Sequence, residues 1–182
     1  MAANFSVCEM PYSELRTITE NDVLSDPFLH KLLDHWRGLR KGRTLPPRAD
    51  FDPTAFGSDV RNMTLVDVID GGADYEARLV GTGIEEVLSA VGGLGRLSAL
   101  ADRQVRENYR QMLDRVVATA QPVFARGYLD VWTRRNVAYA TVLLPFCASG
   151  DGVEIILQGV QFSERVIEPE NQRSALADES DD

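Results

Sequence analysis

The chain has 182 residues, 44% of them hydrophobic and 26% charged, with a formal net charge of −9. That length fits one domain with extensions at its ends, and two cysteines, Cys8 and Cys147, are too few for a disulfide framework. The acidic balance argues against a nucleic-acid or anionic-membrane surface; no apolar run approaches the ~20 residues of a membrane span.

Residues 1–24 are weakly patterned and read as a flexible N-terminal arm. They hold no basic stretch followed by an apolar core, so no secretory signal is read and the cytoplasm is the expected address. Ser25-Asp26-Pro27 then starts a helix, with a capping residue before proline in the first turn. Phe28, Leu29, Leu32, Leu33, Trp36 and Leu39 recur at spacings of three and four, which makes an apolar stripe, and Gly42 ends the helix. The stripe requires burial, either on the chain's own sheet or on a second chain. Residues 43–62 read as a connector, extended at Pro46-Pro47 and with one short helical turn opened by Asp52-Pro53. Helix and connector together form a segment, 25–62, set apart from the domain that follows.

Met63–Ile69 reads as a strand, Asp70–Asp74 as a hairpin turn and Tyr75–Val80 as the second strand. A short helix over Thr82–Val91 runs into Gly92-Gly93-Leu94-Gly95. The long amphipathic helix begins near Ala101-Asp102 and ends near Ala120, ahead of Pro122, with Val105, Tyr109, Met112 and Val116 as its stripe. Three strands follow, Val123–Thr133, Val137–Cys147 and Val153–Ser163, with partial alternation as expected of a sheet with both faces partly covered. Residues 164–182 read as an acidic, disordered tail: seven acids against two arginines supply about five of the nine negative charges.

The strings LLDHWRGLRKGRTLPPRADFDP, MTLVDV, YEARLVGT and LLPF, in this order, resemble a PAS-like family of small, often standalone proteins found mainly in alphaproteobacteria. The residues that carry the resemblance are Trp36-Arg37, Pro47-Arg48, Asp52-Pro53, Arg78-Leu79-Val80-Gly81-Thr82 and Leu143-Leu144-Pro145. The order of strand, strand, helices and three strands matches it too. The resemblance implies an α+β fold: a five-stranded antiparallel sheet over residues 63–163 with helices on one face, plus the N-terminal amphipathic helix. It implies no particular ligand. One departure is the glycine-rich loop after the short helix, where members usually carry a charged or bulky residue.

In such a fold Leu79, Val105, Tyr109, Met112, Val116, Arg126 and Tyr128 are the candidates for lining a ligand pocket between sheet and long helix. The alternative is plain core packing. Arg126, Tyr128, Asp130 and Trp132 share one face of the third strand, and Glu154 and Gln158 are expected on the same face of the last. Familiar PAS cofactors lack their residues. Haem would need an axial histidine on the long helix, yet the only histidines are His30 and His35 on the N-terminal helix. A light-sensing flavin or a cinnamoyl chromophore would need a cysteine near the short helix, and residues 82–100 have none. No cofactor and no metal is therefore expected.

The functional expectation is a sensory or regulatory protein and not an enzyme. It would act as a homodimer and on an unidentified protein partner, with a small-molecule ligand an open question and no role for nucleic acid or membrane. Phe28, Leu32, Trp36, Leu39 and Trp132 are the interface candidates. The alternative is a small cavity enzyme of the isomerase or dehydratase kind, working with a lone carboxylate such as Asp67 because no histidine follows His35.

Overall fold

A computed structural model describes residues 25–88, 95–131, 135–148, 150 and 152–164. Helix α1 spans Pro27–Arg40, strand β1 Met63–Ile69, strand β2 Asp74–Val80, helix α2 Thr82–Leu88 and helix α3 Arg103–Thr119. Strands β3 (Val123–Val131), β4 (Arg135–Phe146) and β5 (Ile155–Glu164) complete a sheet of order β2-β1-β5-β4-β3. Every neighbouring pair in it is antiparallel.

Local chemistry sets the helix ends. Asp26 caps α1, its Oδ1 accepting from the Phe28 and Leu29 amides at 2.9 and 3.0 Å. Lys41 closes the helix in the left-handed region at φ 47°, followed by Gly42 at φ 85°. Asp102 caps α3 through the Val105 amide, and Ala120 ends it at φ 51°. These bounds lie within a residue or two of the sequence expectation. The short helix stops at Leu88, ahead of the expected Val91; residues 89–94, with most of the glycine-rich loop, lie outside the described residues.

The sheet is covered on both faces. Alternate residues of the strands feed two separate cores. Leu65, Phe124, Val142, Leu144 and Leu157 pack against α1, together with Phe51 and Phe56 of the connector. Val66, Tyr75, Ala125, Leu143 and Ile156 pack against Met112, Leu113 and Val116 of α3. The stripe of α1 is therefore spent inside the chain: Phe28, Leu32 and Trp36 are 8%, 0% and 2% exposed, and Leu39 packs half-buried against the same core. At roughly 1.5–3 kcal/mol per large apolar side chain, this burial holds α1 to the sheet. It removes Phe28, Leu32 and Trp36 from the surface as interface residues. Trp132 lies outside the described residues.

The connector is also part of the domain, and residue 62 is no structural boundary. β3 pairs with β4 only as far as Val123↔Leu143, so Leu144–Phe146 have β5 on one side and an open edge on the other. Pro145 sits on that edge, where its missing N–H costs no ladder bond. Its carbonyl accepts the Trp36 indole N–H at 2.8 Å. Just beyond, the Cys147 amide donates to the Pro46 carbonyl (3.1 Å) and the Arg48 amide to the Cys147 carbonyl (2.8 Å), a short parallel bridge. The expected single turn after Asp52 is longer than foreseen. It runs as 3-10 helix over Pro53–Asn62, capped by Asp52 and kinked at Gly57. His35 packs edge-on to Phe51 and Phe56, with centroids 5.8 and 5.2 Å away. His30 pairs with Asp34 at 2.9 Å on the exposed side.

Candidate functional site

The space between α3 and the sheet is where a five-stranded sheet of this shape can hold a guest. α3 lies across β4, β3 and the hairpin of β1 and β2, and its apolar side supplies most of the filling. Val116 is fully buried and Met112 is 8% exposed. Among the described residues a cavity of about 20 Å3 lies between Val66, Tyr75 and Ala77 of the hairpin, Gly95–Leu97 and Leu100 of the preceding loop, and Tyr109 of α3. That is room for a single water, against about 300–1,000 Å3 for a small-molecule site.

A polar chain crosses this otherwise apolar floor. The Tyr109 hydroxyl donates to Gln158 Oε1 at 2.6 Å. Gln158 Nε2 donates to Thr141 Oγ1 at 3.1 Å, and the Thr141 hydroxyl donates to the Gly159 carbonyl at 2.8 Å. Each of these donors has its acceptor, as a buried network requires. Burial pushes the Tyr109 hydroxyl well above the ordinary tyrosine range. Thr64, the cross-strand neighbour of Gln158 on β1, is 2% exposed, and its hydroxyl has no partner among the described residues.

The rim of the cavity is tied down by charge. Ser98 Oγ donates to Asp74 Oδ2 at 2.6 Å, and the Ser98 and Tyr75 amides donate to Oδ1. The Ser98 bond holds the Asp74 carboxyl below its ordinary pKa, against the opposing effect of burial. Arg110 of α3 reaches Asp74 at 3.6 Å and lies 5.7 Å over the Tyr75 ring. The Tyr75 hydroxyl donates to Asp114 Oδ1 at 2.6 Å. Burial first, and the Asp114 carboxylate second, raise the Tyr75 pKa far above its usual value. Helix, hairpin and loop are thus clasped at the cavity mouth.

Of the pocket candidates, the structure brings together Tyr109, Met112 and Val116, and only Tyr109 borders the cavity. Val105 is half-buried in the first turn of α3 and away from it. Leu79 is 60% exposed. β1 and β2 shift register between Leu65↔Leu79 and Val66↔Ala77, so Arg78 bulges and Leu79 leaves the alternation that Tyr75 and Ala77 follow. Arg126 belongs to the opposite face: it shares that side of β3 with Phe124 of the α1 core and donates to Ser25 Oγ at 3.4 Å. The side chain of Tyr128 lies outside the described residues.

Gln158, expected beside Arg126, lies on the α3 face, cross-strand from Leu143. Glu154 is not in the strand; its Oε2 accepts from the Ala148 and Gly150 amides. Asp67 alternates with Val66 and Val68, away from the cavity, and pairs with Arg78 at 3.5 Å. The roles of Gln158, Thr141 and Thr64 were not foreseen. The available signal was a lone amide inside the apolar run Ile155-Ile156-Leu157-Gln158-Gly159-Val160.

Comparison with known proteins adds three findings. The profile of a family described as PAS domain matches residues 25–160, beginning at α1 and ending within β5. Among curated proteins none matches. Among solved structures, that of an RNA-binding light-oxygen-voltage receptor is similar at 17% identity and a TM-score of 0.36. That likeness covers 57% of this chain and 29% of that one.

Proposed function

The chain belongs to the PAS domain family, and from that premise we propose that it is a sensory or regulatory protein whose output passes through contact with another protein. The observation that supports this best is a PAS fold that is tightly packed among the described residues: the cavity lined by Val66, Tyr75 and Tyr109 has about 20 Å3, and both sheet faces carry cores of buried side chains. A domain built this way offers its surface more readily than its inside. Membership of the small, standalone alphaproteobacterial group and a cytoplasmic place are part of the same proposal. Among the described residues no helix is long and apolar enough to cross a membrane. A homodimer also belongs to it, on a surface other than the buried stripe of Phe28, Leu32 and Trp36.

One observation favours an added ligand step. The unpartnered Thr64 hydroxyl and the chain from Tyr109 to Thr141 are polar groups set in an apolar surround, the composition of a recognition site. A guest larger than water would have to displace α3 or the 95–100 loop by breaking the clasp at Asp74 and Arg110. The enzyme alternative draws no such support, since Asp67 faces away from the cavity.

Native mass spectrometry of the protein purified from its own host tests the proposal. The expected spectrum contains the chain with a second protein or a second copy, with or without a small bound mass. A strictly monomeric chain that turns over an isomerase or dehydratase substrate would overturn it.

A further inference from the structure

The end of α1 carries a concentration of positive charge in an acidic protein. Between residues 37 and 48 stand Arg37, Arg40, Lys41, Arg43 and Arg48, with no acid among them, in a chain of net charge −9. The fold gathers these bases at one corner, the last turn of α1 and the connector bonded to Cys147. Among the described residues Asp34 lies 3.4 Å from Arg37, and Asp50 lies 2.9 Å from Arg43. Arg40 and Arg43 also donate to backbone carbonyls at the helix end. Those bonds fix the guanidinium groups without neutralising them, and Lys41 is exposed. With the Arg37–Asp34 pair set aside, Arg40, Lys41, Arg43 and Arg48 against Asp50 keep a net positive charge of about three.

We propose that this basic corner docks the acidic C-terminal segment of the same chain, residues 165–182. The segment carries six acids against two arginines, and Asp178, Glu179, Asp181 and Asp182 place four of them within five residues. Its starting point allows the contact. β5 ends at Glu164, and the corner adjoins Cys147, next to Phe146, which pairs with Ile155 at the other end of β5. The gap is therefore the length of β5, about 30 Å at ~3.3 Å per residue. Asp178 follows Glu164 by 14 residues, a reach of ~46 Å fully extended and an r.m.s. span of about 20 Å as a flexible coil. Tethering at that range gives an effective concentration near the millimolar scale, enough for a contact made of several weak, solvent-exposed ion pairs.

The test compares backbone amide resonances of the full chain with two full-length variants. One neutralises the tail (Asp178→Asn, Glu179→Gln, Asp181→Asn, Asp182→Asn); the other neutralises the corner (Arg37→Gln, Lys41→Gln). The tail variant should shift the amides of Gly38–Arg43, and the corner variant should shift those of residues 178–182. Both differences should shrink at least twofold as NaCl rises from about 0.02 to about 0.3 M. An unchanged Trp36 indole N–H resonance confirms that the fold is intact, and the tail variant, altered only outside the described residues, decides the matter if the corner variant does not fold. Loss of the shifts on tenfold dilution would place the acids on a second copy and overturn the proposal. Corner amides that ignore the tail substitutions would overturn it as well.

Discussion

Replacing Gly159 by alanine tests whether α1 is an integral layer of the domain. Gly159 sits in β5 facing α1, and a Cβ there would lie 2.5 Å from Leu32 Cδ2 and 3.3 Å from both Leu29 Cδ2 and Phe28 Cζ. Leu32 and Leu29 are fully buried, so the methyl has to push packed side chains or lift the helix. Overpacking of this kind costs about 1–3 kcal/mol. Without a helix above it, the same substitution would stabilise a strand by about 0.4–1 kcal/mol, because alanine has less freedom to lose on folding. The sign is therefore diagnostic. With α1 seated, Gly159→Ala lowers the urea-unfolding free energy by a net ~1–2 kcal/mol. Leu32→Ala alone costs about 2–5 kcal/mol, but it removes the methyl that the new Cβ meets. The double variant should then recover about 1 kcal/mol relative to the sum of the two single changes. A Gly159→Ala protein as stable as the parent or more so, with additive behaviour in the cycle, would refute the reasoning.

Three further outcomes are expected. Trp36→Phe keeps most of the burial but leaves the Pro145 carbonyl without its donor, and chemical denaturation should report a loss of about 1–3 kcal/mol; no loss would mean that the carbonyl finds water. Tyr109 has a folded pKa raised above its unfolded value, so its contribution is fully present below about pH 10 and is lost as pH rises further, at about 1.4 kcal/mol per pH unit. Tyr109→Phe should flatten that alkaline limb while costing about 1–3 kcal/mol at neutral pH through the unpaired Gln158 oxygen; an unchanged limb would refute the assignment. Asp74 has a depressed folded pKa, so its contribution is present above about pH 4 and is lost as pH falls below it. Ser98→Ala, which removes the largest cause of the depression, should weaken the acid dependence between about pH 5 and pH 2 as read by urea midpoints.

The element order and most boundaries were legible because they rest on local chemistry: Asp26 and Asp102 as caps, Gly42 after α1, Pro122 after α3. Which face a strand residue occupies was far less legible. Both faces of this sheet are covered, so β4 reads Thr141-Val142-Leu143-Leu144 with apolar residues on either side and no alternation to set the parity. That ambiguity placed Arg126 in the pocket and Gln158 beside it, when the two lie on opposite faces. Leu79 escaped for another reason: the bulge at Arg78 depends on how β1 meets β2, which neither strand declares alone. The stripe of α1 was read correctly as requiring burial, but periodicity cannot say against what. The answer lay in Pro145, 109 residues from Trp36.

The residues that carry the family resemblance converge on architecture. Trp36 meets Pro145, and Pro47-Arg48 extends the sheet edge at Cys147. Asp52 caps the 3-10 helix that leads into β1. Gly81 sits so close to the Arg61 carbonyl that any side chain would collide with it. Each contact seats α1 or its connector on the domain, and none borders the cavity under α3. The residues that give that cavity its polar character, Tyr109, Gln158, Thr141 and Thr64, fall outside the motif strings or, for Thr64, within one that reads only as strand. The motif residues Trp36, Pro47-Arg48 and Asp52 thus report that the N-terminal helix has been built into the PAS sheet. Trp36 and the connector lie on one face of the sheet and the polar chain from Tyr109 on the other, and Gly159 belongs to both. Its side-chain position meets Leu32 of α1, while its carbonyl ends the hydrogen-bond chain that begins at Tyr109.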